Sequence, residues 1–413
     1  MHDARRGEPG AARSVLGLAA VTVSVAIAPF LVGALAPRID ADISLSTRDV
    51  GIAMAGYYLV SGVLSPIGGR VVDALGTAAA LRWACALSTV GLVVIAAAGR
   101  TSTIVVVLTL LGVPNSVVQP GCNHLLAALR HPRVRAVSFG VLQASIPVST
   151  LIAALVLGVA GSGGGWRWTV VGVAVLTLLT QFVVPRAGQS VTESSSSTAP
   201  TQPALGHGGP SFLVALVVTG FLASAAVTTL PSFAATTGHH AGLTAWTIAI
   251  AQTVGSAGSA LMRIIAAAVT SHAGMTARLL VIAALQLIGI LGFLGLASGT
   301  TVGFTLGTIA AFTFGWGFNG LFNMVVASAR PGQIARSTGF TQAGVFLGGM
   351  TGPVVFATIV GTEHYDAGWL AMSFFMVGAV VTCLLATHSA PDVRRDPLMK
   401  RTPSTCSTLE GPS

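Results

Sequence analysis

Apolar residues run through this chain in long unbroken blocks, unlike the two-residue alternation of a half-buried strand or the narrow stripe of a surface helix. A helix crossing about 30 Å of hydrocarbon needs about 20 apolar residues, because lipid offers its backbone no hydrogen-bond partner. The chain supplies that length near 14–35, 50–69, 82–99, 103–128, 136–160 and 167–185, and again near 211–235, 244–269, 278–298, 302–328, 336–361 and 367–387. The first block follows Arg5, Arg6 and Arg13 as a signal peptide would, but it is long enough to span and no A-x-A-like site ends it. It is read as the first membrane helix. Between the two sets lies 186–210, rich in Ser, Thr, Pro and Gly, with serines filling 194–197 and too few apolar residues to fold alone.

The pattern predicts an all-α membrane protein of twelve transmembrane helices in two six-helix halves. Residues 1–185 form the first half, 186–210 a linker, 211–388 the second half, and 389–413 a tail expected to be disordered.

Composition agrees. With 53% hydrophobic and 8% charged residues and a mean hydropathy of +0.82, the chain has too few charges to cover a soluble surface of 413 residues. The excess of 21 basic over 12 acidic residues includes no basic tract with interleaved aromatics, so no nucleic-acid partner is expected. Cys85, Cys122, Cys383 and Cys406 have no metal-ligand spacing, and His239 and His240 lack a third ligand nearby. No metal, no cofactor and no enzyme chemistry are expected, because titratable groups are not gathered anywhere. The expected partners are a small solute and the lipid bilayer, with the chain a monomer.

The basic residues set an orientation, since Lys and Arg near membrane segments stay on the cytoplasmic side. Counting Arg263 with its nearest loop, seventeen of the 21 fall at the N-terminus, in the even-numbered loops, in the linker and in the tail; only Arg38, Arg48, Arg100 and Arg167 fall opposite. Both termini are therefore expected in the cytoplasm, the chain lying in the cell membrane with an even number of crossings.

The halves also resemble each other. Leu45-Ser46 matches Leu243-Thr244 and Gly76 matches Gly274 at an offset of 198; Ala136, Ser138, Gly140, Gln143 and Ala144 match Ala335, Ser337, Gly339, Gln342 and Ala343 at 199; Asn123 matches Asn323 at 200. Such ordered matches point to a duplicated six-helix unit, an arrangement transporters use to place a solute path between halves.

After the second span stands Gly69-Arg70-Val71-Val72-Asp73-Ala74-Leu75-Gly76-Thr77-Ala78. It resembles the G-x-x-x-D-R-x-G-R-R gating signature of the major facilitator superfamily, and the resemblance covers 15–386. Gly69, Asp73 and Gly76 match; Ala74, Thr77 and Ala78 replace the family's basic residues, with Arg82 as the candidate substitute. A degenerate second copy keeps Arg263 and Gly274. The segments from Gln119 to Asn123 and Gln143 to Pro147, with Gly315 to Asn323 and Thr341 to Gly344, are similar to a bacterial subgroup that includes cyanate-type permeases. The fifth span reads Pro147-Val148-Ser149-Thr150-Leu151 where drug and proton antiporters carry a Gly-Pro pair, which favours uptake of a small organic anion over drug or metabolite efflux.

Polar groups inside a bilayer are costly and face a cavity or a neighbouring helix. Asn115, Gln119 and Asn123 recur every four residues on one face of the fourth span, and Asn319 and Asn323 do so on the tenth. The resemblance implies that the first, fourth, seventh and tenth spans line a central cavity, which makes these amides and Trp316 candidate solute ligands; hydrogen bonding between helices is the competing role. Gln143 and Gln342 are candidates of the same kind. His124 is the candidate proton site, since imidazoles exchange protons near neutral pH and no Asp or Glu falls in the middle of a span; a satisfied structural histidine is the competing account. Arg263 is the charged residue lying well inside a span, 17 residues beyond Trp246 and so roughly 25 Å along the helix. Its forked guanidinium suits a carboxylate. In relatives that carry monocarboxylates an arginine of this helix resembles it in position; the competing role is structural, the side chain snorkelling to the cytoplasmic surface or capping helix ends where the halves meet.

Overall fold

The structure is a computed structural model that describes residues 9–127, 132–159, 165–185, 209–270, 273–329, 334–361 and 363–390. Nearly all of the linker and the tail therefore lie outside the described residues. All regular secondary structure in the described residues is helical. A first set comprises α1 (Pro9–Ile43), α2 (Thr47–Leu75), α3 (Thr77–Ala96), α4 (Thr101–Leu110), α5 (Gly112–Ala127), α6 (Pro132–Val159) and α7 (Gly165–Thr180). A second set comprises α8 (Pro210–Val227), α9 (Thr229–His240), α10 (Ala245–Val269), α11 (Met275–Ala297), α12 (Thr301–Ala310), a π-turn (Ala311–Gly315), α13 (Asn319–Ala329), α14 (Ile334–Val360) and α15 (Tyr365–His388).

Eleven helical stretches among the described residues are long and apolar enough to cross a membrane, taking α4–α5, α8–α9 and α12–α13 as single broken rods. The predicted sixth span becomes α7, which at 16 residues falls short of that length. Large apolar side chains such as Trp83, Phe182, Val269 and Phe374 are exposed around the outside, where only lipid would cover them. The chain is a multi-pass membrane protein.

The rods alternate in direction, as their end contacts show. We call the end where α1 begins the near end and the other the far end. At the far end Trp166 Nε1, opening α7, donates to Asp42 at the close of α1 at 3.0 Å, and Arg167 forms an ion pair with the same carboxylate. At the near end Thr77, opening α3, meets His124 at the close of α5. Packing partners recur between the sets: α1 lies on α6 as α8 lies on α14, and α3 lies on α7 as α11 lies on α15.

Within each set backbones approach closely. A side chain at Gly352 would place its Cβ 1.9 Å from the Ala225 carbonyl oxygen, and one at Gly292 would sit 2.4 Å from the Ala311 nitrogen. The turn from α2 to α3 needs Gly76, whose φ of 77° is in the left-handed region that a side chain disfavours.

The sets meet along α1–α9, α2–α14 and α6–α10. At the far side of these seams Gly33 of α1 packs on Pro231 of α9, Gly51 of α2 on Pro353 of α14, and Thr47 Oγ1 lies 3.1 Å from Tyr365 Oη. Midway, Thr150 and Ser256 share a buried hydrogen bond of 2.8 Å between α6 and α10.

Candidate functional site

One proline and two helix breaks shape the centre. Pro147 stands inside α6, which runs on as a single helix, and because proline has no N–H, the Gln143 carbonyl four residues earlier loses its helical donor. The fourth-span rod breaks between α4 and α5 at Leu111. The tenth breaks through the π-turn and the turn at 316–318, where the Trp316 carbonyl loses its i+4 donor and accepts instead from the Asn319 N–H at 3.4 Å.

Arg263 of α10 lies between these freed carbonyls, only 3% exposed. Its Nη1 donates to the Gln143 oxygen at 2.6 Å and its Nη2 to the Trp316 oxygen at 3.4 Å, so one guanidinium bridges the two sets. The carbon at its centre stands 5.8 Å from the middle of the Trp316 ring. Nε has no hydrogen-bond partner, and no carboxylate contacts the group among the described residues. Trp316 in turn meets Phe30 of α1 edge-on at 5.9 Å and tilts against Phe312 at 5.8 Å. The arrangement presents a buried cation, an aromatic wall and an unused N–H donor, which together could hold a small anion.

The structure brings Arg263, Trp316 and Gln143 together. Asn115 is placed otherwise: its Nδ2 donates to Ser61 Oγ of α2 at 3.0 Å, a bond between helices of one set. Gln119 on α5, Asn319 and Asn323 on α13 and Gln342 on α14 are half-buried, while Asn123 is exposed at the near end of α5. His124, beside it, is also exposed, with Nδ1 3.2 Å from Thr77 Oγ1. Of the candidate gating residues, Asp73 is exposed on α2, Arg82 is half-buried on α3, and no ion pair joins them; Gly69 has open space beside its Cα.

Phe30, Thr150 and Ser256 also stand at the seam and were not anticipated. An aromatic or a hydroxyl in an apolar helix gives no sign of what it faces. The recurrence of Gln252, Ser256, Ser259 and Arg263 at intervals of four, three and four residues, all buried on one face of α10, was the available signal. A separate cavity of about 300 Å³ lies at the far end between α1, α6, α9 and α10, with Arg38 and His239 in its lining.

A membrane-embedded bundle of alternating rods, with a polar seam between two sets and a buried cation at its centre, defines a solute carrier. The chain belongs to the Major Facilitator Superfamily, whose family model matches residues 18–353. As a member it is a transporter rather than an enzyme. Among solved structures it is similar to a bacterial homologue of the human lysosomal transporter Spinster in an inward-facing, unoccupied conformation, with a TM-score of 0.72 and 16% identity over 94% of this chain and 99% of that one. It is also similar to a mutant of the nucleoside transporter NupG, with a TM-score of 0.67 and 13% identity over 90% of this chain and 99% of the other. No curated protein is matched by the sequence.

Proposed function

We propose that the protein carries a small organic anion across the cell membrane by alternating access, with Arg263 as the counter-charge. The observation behind this reading is a guanidinium 3% exposed whose bonds go to two carbonyls and whose Nε is unused. An arginine at that depth costs about 2.5–3.5 kcal/mol or more, and carbonyl dipoles offset only part of a full charge. A carboxylate arriving beside Trp316 would neutralise it. Resemblance to cyanate-type permeases agrees with a compact anionic solute.

In the same reading α7 is the sixth of twelve crossings, and the two sets are six-helix halves that rock about the far and near seams. The repeat offsets and the recurring packing partners support this. Both termini lie in the cytoplasm, as the basic residues suggest, so the near end faces inward. Contacts across the far end, with open space beside Gly69 and Gly339 at the near end, agree with an inward-open carrier. Gln119, Asn123, Asn319, Asn323 and Gln342 then border the route from the centre to the cytoplasm. Asn115 serves chiefly to hold α5 to α2.

The test is uptake of radiolabelled acetate, lactate, oxalate and succinate into proteoliposomes. Wild-type protein moves at least one of them, and Arg263→Gln reduces that uptake at least about tenfold while remaining monodisperse in detergent. Uptake of the transported anion at the wild-type rate by Arg263→Gln refutes the anionic reading.

A further inference from the structure

We infer that Pro147 is a positioning residue for Arg263, acting through the carbonyl that it leaves free. This rests on the reading of Arg263 as the solute's counter-charge, but its test needs no solute.

In a fully paired α6 the Gln143 carbonyl would accept the N–H of residue 147. Proline supplies none, and its ring presses against that same carbonyl, tilting it away from the helix axis. The carbonyl is then a buried acceptor in a bilayer-spanning segment, a group that must be satisfied from elsewhere. Arg263 Nη1 satisfies it at 2.6 Å, the shorter of the two bonds the guanidinium makes. Each group answers the other's need: the orphaned acceptor fixes the cation, and the cation satisfies the acceptor.

The fixing matters because a side chain with four rotatable bonds has other places to go. Arg263 lies toward the near end of α10, from which it could snorkel to water. Its stem is held by Gly320, where a Cβ would come within 3.1 Å of Arg263 Cβ, and its head by carbonyls from both sets. Without the Gln143 acceptor, the attachment to the first set is lost and only the 3.4 Å contact to Trp316 remains. The same bond ties the cation's position to the relation between the sets: when α6 and α10 part, the guanidinium loses its carbonyl and needs another partner. A backbone dipole holds the guanidinium in the present arrangement, standing where the solute's charge would act.

Pro353 of α14 is an internal comparison. It too lies within a helix and frees a carbonyl, that of Gly349, but no arginine reaches it among the described residues.

The experiment is a double-mutant cycle on the thermal melting of the detergent-solubilised full chain, without added anion. Pro147→Ala supplies the missing N–H, which pairs with Gln143 and displaces Arg263. In the wild-type background it is expected to lower Tm by about 2–4 °C. In the Arg263→Gln background, where the restored helix bond competes with nothing, the same change is expected to leave Tm unchanged or raise it. Pro353→Ala shifts Tm equally in both backgrounds. Additive shifts for Pro147→Ala overturn the inference. Should the alanine protein misfold in both backgrounds, an ester linkage at position 147, made with the α-hydroxy analogue of alanine, decides. It carries no N–H, so wild-type melting is expected, and a melt below wild type overturns the inference. Loss of anion uptake in Arg263→Gln with an additive cycle would leave the anion reading intact and remove only the positioning role.

Discussion

Gly33→Ala offers a direct probe of the far seam. Gly33 lies on α1 where it crosses α9, and a β-carbon there would stand 2.3 Å from the Pro231 carbonyl oxygen and 2.8 Å from Ser232 Cα. Both neighbours are backbone, so no side chain can swing away, and α1 and α9 must separate by roughly 1 Å to reach ordinary contact at about 3.5 Å. Overpacking of this kind costs about 1–3 kcal/mol. Because α1 and α9 belong to different sets, the cost falls only on the arrangement in which the far end is closed. It therefore acts as a bias between arrangements, shifting their ratio about 5- to 150-fold toward the one with the far end parted. Spin labels on the exposed positions Asp40 and Ala241 would report this by pulsed electron resonance as growth of a longer distance population. Gly352→Ala is the contrast: its clash with Ala225 lies within the second set, so it should lower Tm and leave that distance distribution unchanged. Gly69→Ala meets no atom within 4 Å and should do neither. An unchanged distribution in Gly33→Ala would refute the argument that the far seam separates during transport.

Asn115→Leu removes the 3.0 Å bond to Ser61 and should cost about 1 kcal/mol of stability, read by denaturation in detergent, with less than a twofold change in the apparent KM of the transported anion. A cysteine at Ser195 should be labelled by a membrane-impermeant thiol reagent only in opened vesicles, whereas one at Ala241, exposed at the far end, should react on intact cells.

The membrane fold could be read from the sequence because a lipid-embedded backbone must pair within its own segment, so apolar length alone dictates helices. Arg263 was legible for the complementary reason: a charge in an apolar run stands out. Helix ends were less so, and α1 runs from Pro9 to Ile43 where 14–35 was expected, since polar residues beyond the hydrocarbon can extend a helix without any apolar signal. The breaks at Leu111, Thr228 and Ala311–Gly315 also went unseen, as Gly-rich stretches occur inside intact membrane helices too. Asn115 shows the limit for the site. Its spacing with Gln119 and Asn123 gives a helix face, but whether that face meets α2 or a cavity depends on the packing of a partner about 50 residues away. Pro147 was visible, yet its consequence for Arg263, 120 residues apart from Gln143, lies wholly in tertiary structure.

The broken fourth and tenth rods have a mechanical consequence. A continuous helix resists bending, but α4 meets α5 at Leu111 and α12 meets α13 through a π-turn, at equivalent places in the two sets. Compliance is therefore concentrated within the rods, and α12 is clamped on its far side by close backbone contacts of Gly303 with Gly295 and of Gly307 with Gly292. In the tenth rod the π-turn leads straight into Trp316, whose carbonyl and ring face Arg263, so the pivot of that rod adjoins the cation, whereas α5 stays tied to α2 through Asn115 and Ser61. A small change of angle at that pivot is magnified along α13 toward the near end, so the seat of the cation is also the fulcrum of the tenth rod.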